Sequence, residues 1–199
     1  MNTKLILLLT VICNSAVAQI SANRQETFLG FIAAKEFSKS IALYKAKSFA
    51  IDEIIGGATS TVIKFEIDAL VASNSGDLTT LVYKCNEKDK VGLILGFYGD
   101  YWNKAGVIYT GYAFKDLPIV KANELLLKIQ SAIDSNVDYL SQDSDNNNIT
   151  FQYDDITLII YRAQATQAIT MRLFWNGFDA EWNKAEFSRT MKRLANKLK

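Results

Sequence analysis

The chain has 199 residues, with 22 basic and 21 acidic side chains and a formal net charge of +1. That balance lacks the basic surplus of a nucleic-acid binder. It contains no histidine and two cysteines, which excludes the usual Ser-His-Asp and Cys-His catalytic arrangements and the common zinc sites.

The N-terminus reads as a leader. Met1–Lys4 is a short positive start, Leu5–Cys13 is apolar, and Ala16-Val17-Ala18 is a small-x-small cleavage signal. This is the pattern of a secretory signal peptide over residues 1–18. The apolar run is too short to span a bilayer, which needs about 20 residues. The mature chain then starts at Gln19, and the expected location is periplasmic or extracellular. Removing Lys4 leaves basic and acidic residues in balance. Cys13 leaves with the leader, so Cys85 cannot form an internal disulfide, and its strand-like setting suits a small buried hydrophobe. No later segment is long and apolar enough to cross a membrane as a helix.

Ser21–Ile55 has helical spacing, with Asn23 and Glu26 close to a capping box and Phe28, Ile32, Phe37, Ile41 and Tyr44 forming one stripe. Gly56-Gly57 ends it. Four strand-like segments come next. In Thr61–Val71 the residues Ile63, Phe65, Ile67, Ala69 and Val71 alternate with mostly charged neighbours, the pattern of a sheet with one packed face. Ser73–Asp77 is a turn. The second strand covers about 78–86, and the third is Val91–Tyr98, whose Gly92 and Gly96 leave room for a close approach. Gly99–Gly106 reads as a connection, and Val107–Phe114 as the fourth strand. Short connections favour an antiparallel meander.

A second helix is expected over 118–140, with Asp116 and Pro118 at its start and Ile119, Ala122, Leu126, Ile129, Ile133, Val137 and Leu140 as its stripe. Ile149–Tyr153 and Ile156–Arg162 form a hairpin around Asp154-Asp155. Ala168–Trp175 is another strand. Asp179 is placed to cap a last helix over 180–198.

Strands in runs rather than singly between helices indicate α+β. The expected order is helix, four strands, helix, three strands, helix. It makes one antiparallel sheet of about seven strands, or two smaller sheets, under long amphipathic helices. Residues 19–199 form one α+β domain. The same order also divides into two β-then-α halves, 19–140 and 141–199, sharing one core. The repeated tetrapeptides Trp102–Ala105 and Trp182–Ala185 are too short to establish a duplication.

Three sets of residues carry candidate chemistry. Asp143, Asp145 and Asn147 occupy positions 1, 3 and 5 of a calcium-loop pattern, with Asp154 at position 12. The turn glycine is replaced by Asn148, so a solvated loop is the competing reading. Asp154-Asp155 supplies paired carboxylates, but neighbours on a strand point to opposite faces, and a general acid needs burial to raise its pKa. Tyr101 and Trp102, in the Gly99–Gly106 connection, are the aromatics least provided with cover. The expected function is a non-enzymatic exported protein that binds a protein, a glycan or a small apolar ligand. A carboxylate-dependent hydrolase and a calcium-stabilised adhesion or structural module are the alternatives. No nucleic-acid partner is expected.

Overall fold

The structure is a computed structural model that describes residues 39–102 and 105–199. The expected leader over residues 1–18, the expected capping pair Asn23 and Glu26, and the part of the stripe from Phe28 to Phe37 lie outside the described residues. The chain runs through α1 (Lys39–Phe49), a π-helical turn (Ala50–Ile55), β1 (Glu66–Ala72), β2 (Leu78–Cys85), β3 (Lys90–Trp102) and β4 (Ile108–Pro118). It continues through α2 (Ile119–Asp134), α3 (Val137–Gln142), β5 (Asn148–Tyr153), β6 (Ile156–Arg162), β7 (Ile169–Trp175), β8 (Phe178–Asn183) and α4 (Lys184–Lys197). The fold is α+β, with two four-stranded antiparallel meanders ordered β1-β2-β3-β4 and β5-β6-β7-β8.

The two faces of the first sheet do different work. One packs on α1 and the π-helical turn through Ala69, Leu81, Tyr83, Ile94, Tyr112 and Phe114. The other, with Leu93, Leu95 and Phe97, joins α2, the second sheet and Phe187 and Leu194 of α4 in the main core. Alternation in β2 and β3 therefore buries residues on both faces, because both are covered. A bulge between Ala69 and Val71 breaks the alternation of β1. It moves Val71 off the face of Ala69 and into the main core, since an extra unpaired residue bends the strand and re-aims the side chains after it. Strand β1 begins at Glu66 rather than Thr61.

Several expected boundaries move. Strand β4 runs to Pro118, so Asp116 lies in the sheet and α2 starts at Ile119. The second helix breaks at Ser135-Asn136, and Val137, expected inside the stripe, is exposed. Phe178–Asn183 is an eighth strand rather than the start of the last helix. Asp179 does not cap that helix. It receives Arg172 Nε at 2.8 Å and Nη2 at 2.6 Å across the sheet. The cap is Asn183, whose side chain accepts from Glu186 N while Glu186 Oε2 accepts from Asn183 N, a reciprocal capping box. The two tetrapeptides are not in equivalent places: Trp102 ends the third strand of one sheet, whereas Trp182 lies in the fourth strand of the other.

Polar contacts tie the sheets together at the β1–β2 turn. Asp77 Oδ1 accepts from Ser73 Oγ at 2.8 Å and Ser75 Oγ at 2.5 Å, and Asp77 Oδ2 accepts from Glu181 N at 3.1 Å. Thr80 and Thr190 pair their hydroxyls at 3.0 Å in the interior. The Ser-Asn-Ser-Gly-Asp composition thus both turns the chain and binds it to β8 and α4.

Candidate functional site

Tyr101 and Trp102 are in strand, not in a loop. β2 pairs with β3 only from Lys90 to Phe97, but β3 and β4 stay paired out to Trp102 opposite Ile108. Residues 98–102 and 108–112 therefore form a two-stranded arm that outruns β2. A two-stranded ribbon is marginal by itself, and Tyr101 is what anchors this one. Its ring stacks on Phe178 of β8 with centroids 5.4 Å apart and lies 6.0 Å from Tyr109 across the arm. Tyr101 is half-buried against the main core, so the exposed contact expected of it falls instead to Val107 and Ile108, which are 45% and 50% exposed, and to Tyr109. The side chain of Trp102 lies outside the described residues.

Asp154 and Asp155 form the β5–β6 turn, where Asp154 takes a left-handed φ of 54°. Lys115 Nζ lies 2.5 Å from Asp155 and 3.5 Å from Asp154, and Lys121 Nζ lies 3.3 Å from Asp154. Trp175 Nε1 donates to Asp155 Oδ2 at 2.9 Å. Burial pushes the Asp155 carboxyl up, but the bonds from Lys115 and Trp175 outweigh it and hold the group below its ordinary value. That is the opposite of what a general acid needs. The pair works as a clamp joining β4 and α2 to the second sheet.

The four calcium-loop positions are not brought to one place. Asp143 Oδ1 accepts from Asn146 Nδ2 at 3.0 Å, Asp145 Oδ1 accepts from Gln164 N at 3.0 Å, and Asn147 Nδ2 donates to Tyr139 O at 2.6 Å. Asp154 lies beyond the whole of β5, a six-residue strand that spans about 20 Å. The side chains at the first three positions shape the α3–β5 connection, and Asp154 is committed to lysines at the other end of the strand. Among the described residues no three His, Cys, Asp or Glu side chains cluster as a metal site would require.

Another carboxyl with a shifted pKa is one that spacing does not mark. Asp116 sits on the helix-facing side of β4, opposite Ile94, and Gly92 lies beside it opposite Tyr83. Without a side chain at Gly92, the Tyr83 hydroxyl crosses β3: a Cβ there would stand 2.5 Å from Tyr83 Oη and 2.5 Å from Leu117 O. Burial raises the Asp116 pKa against the opposing pull of the Tyr83 hydrogen bond, Lys90 and Lys115. Burial and the neighbouring Asp116 push the Tyr83 hydroxyl up as well. Asp116 Oδ1 is buried and has no hydrogen-bond partner among the described residues. The sequence signal for this arrangement is Gly92 itself, which marks a close approach within a strand.

The grooves are open to solvent, and one of about 510 Å³ lies between Ala69 and Leu70 of β1 and Arg193, Asn196 and Lys197 of α4. A half-open groove of about 370 Å³ runs along the start of β1, between Lys47 of α1 and Lys197 and Leu198 at the end of α4. A smaller apolar groove of about 160 Å³ lies between Ile51, Ile55, Ile63 and Phe65, below the roughly 300 Å³ typical of small-ligand sites. Between the sheets the space is filled: Phe97 packs on Trp175 and Phe178 with centroids 5.2 and 6.3 Å away, and Trp182 meets Phe187 edge-on. No described helix is long and apolar enough to cross a membrane. Compared with known proteins, the chain matches no family model, no curated protein and no solved structure.

Proposed function

We propose that this is an exported, non-enzymatic protein that binds a protein partner through the end of the β3–β4 arm. The observation that carries the reading is the arm itself. It outruns β2, is anchored from behind by Tyr101 on Phe178, and leaves Val107, Ile108 and Tyr109 partly exposed near its end, with Tyr109 turned to the Tyr101 side and Ile108 to the other. Scattered apolar side chains on a surface are ordinary, but apolar side chains on both faces of a projecting ribbon suit insertion against a partner. Branched aliphatics next to a tyrosine suit a protein surface better than a sugar, which would use flat aromatic faces. Export rests on the leader pattern of residues 1–18. The absence of histidine and the lowered Asp155 carboxyl weigh against acid–base catalysis at the β5–β6 turn.

The test is a doubly substituted chain, Val107→Ser with Ile108→Ser, compared with the unaltered protein by native size in gently prepared extracellular and envelope fractions. The unaltered protein is expected to elute larger than its purified form, and the variant at the purified size. Elution of the unaltered protein at its purified size would overturn the reading.

A further inference from the structure

We propose that Asp116 is a protonation-controlled latch: the layer formed by α1 and the π-helical turn seats firmly on the first sheet when this carboxyl is neutral and loosens when it ionises. Asp116 does not need to touch the helix to act on it. Tyr83 connects the two. Its hydroxyl reaches over Gly92 to the carboxyl, and its ring is a wall of the core that holds Ala50 and Ile54 of the π-helical turn. Whatever displaces Tyr83 therefore disturbs the seat of the helix.

The groups acting on Asp116 are Tyr83 from β2, Lys90 from β3 and Lys115 from its own strand. Lys90 is exposed and well solvated, and Lys115 is committed to Asp154 and Asp155. The π-helical turn directs Asp52 and Glu53 to solvent, and the α1 cations on this side are Lys45, over the Tyr112 ring, and Lys47, in the groove that Tyr83 and Lys84 also line; the cations that act on Asp116 are Lys90 and Lys115. An ionised Asp116 thus has one hydrogen bond, from Tyr83, and a buried Oδ1 with nothing to receive. A neutral carboxyl avoids that cost, since burying charge without full pairing is far more expensive than burying a neutral polar group. The relief open to the ionised group is to draw water in, and Gly92, which has no side chain to close the gap, sits beside it. Six residues of π-helix, ended by Gly56 and Gly57 both at positive φ, contribute Ala50 and Ile54 to the core that Tyr83 walls. Such π-helical turns are rare and often stand at functional sites.

Hydrogen exchange tests the latch on the whole mature chain. Protection of residues 42–55, corrected for the intrinsic pH dependence of exchange and referred to residues 122–133 of α2, is tracked from pH 4 to pH 8. It is expected to fall by about tenfold for each unit by which the carboxyl is raised above its unfolded value. In Asp116→Asn the ratio is expected to stay level. A level ratio in the unaltered protein, or the same fall in Asp116→Asn, would overturn the proposal. If that variant does not fold, carboxyl NMR of the unaltered protein decides instead: Asp116 titrating at an ordinary aspartate pKa rules the latch out, and Asp116 titrating above it, together with the fall in protection, upholds it.

Discussion

Asn74, in the turn of the first hairpin, donates its backbone N–H to Glu186 Oε1 at 2.8 Å, although 112 residues separate them. Glu186 is 1% exposed, and its other oxygen accepts from Asn183 N. One carboxylate therefore starts the last helix and fastens it to the opposite sheet. Removing it by Glu186→Ala leaves two backbone donors without their acceptor. The expected loss is about 2–4 kcal/mol in urea unfolding. Glu186→Gln keeps one acceptor oxygen and is expected to lose less than half as much.

Gly92 gives a second test. The backbone oxygen of Leu117 cannot swing aside, so Gly92→Ala must displace Tyr83 and strain β3 against β4. A loss of about 2–3 kcal/mol is expected, by the usual cost of overpacking. Gly76→Ala, in open space but at φ 83°, is expected to lose about 1 kcal/mol from backbone strain alone. Equal losses at the two positions would show that the close approach at Gly92 is not what matters.

Asp155 and Asp116 are expected to respond to pH in opposite directions. The folded pKa of Asp155 lies below its unfolded value, so its contribution is complete above the ordinary carboxylate range and is lost as pH falls through the folded value. The folded pKa of Asp116 lies above its unfolded value. Its contribution is complete at low pH and is lost as pH rises through the folded value. Asp155→Asn is therefore expected to lower stability at pH 7 by about 1 kcal/mol, since the carboxylate is half-exposed, its lysine is mostly covered, and it also accepts one indole hydrogen bond. Asp116→Asn is expected to raise stability at pH 7 and leave it nearly unchanged at pH 3. Unfolding free energies of both variants at the two pH values check the signs.

The leader pattern of residues 1–18 makes a separate prediction. If residues 1–18 are cleaved after Ala18, the exported protein begins at Gln19. Intact mass and N-terminal sequencing of the exported form decide it. A product that retains Met1 would contradict export by cleavage.

Much of this fold is written locally. The stripe Ala122, Leu126, Ile129 and Ile133 lies buried along α2, and the Asp154-Asp155 turn joins Tyr153 to Ile156 as alternation implies. The eighth strand is also present in the sequence, as Asn176-Gly177 between Trp175 and Phe178. Both turn residues take positive φ, the geometry of the strongest short hairpin signal. Asp179 competes with that reading because it resembles a helix cap, whereas the true cap pattern is Asn183 with Glu186. The bulge in β1 is less legible, because the extra residue shows only once β2 fixes the register. Tyr101 illustrates what spacing cannot give. Its cover comes from Phe178, which folding brings in from the other sheet. Asp116 is harder still, since its burial depends on a tyrosine and a glycine from two other strands.

The proposed binding role turns most on the end of the β3–β4 arm. A photo-crosslinking side chain placed at Ile108 is to be compared with one at Leu127, an exposed apolar position on α2 that is 62% accessible. Both are activated in living cells that export the protein. A binding arm predicts one discrete protein adduct from position 108, absent from position 127 and lost when Val107 and Tyr109 are replaced by serine. Equal labelling from the two positions, or none from 108, would contradict it.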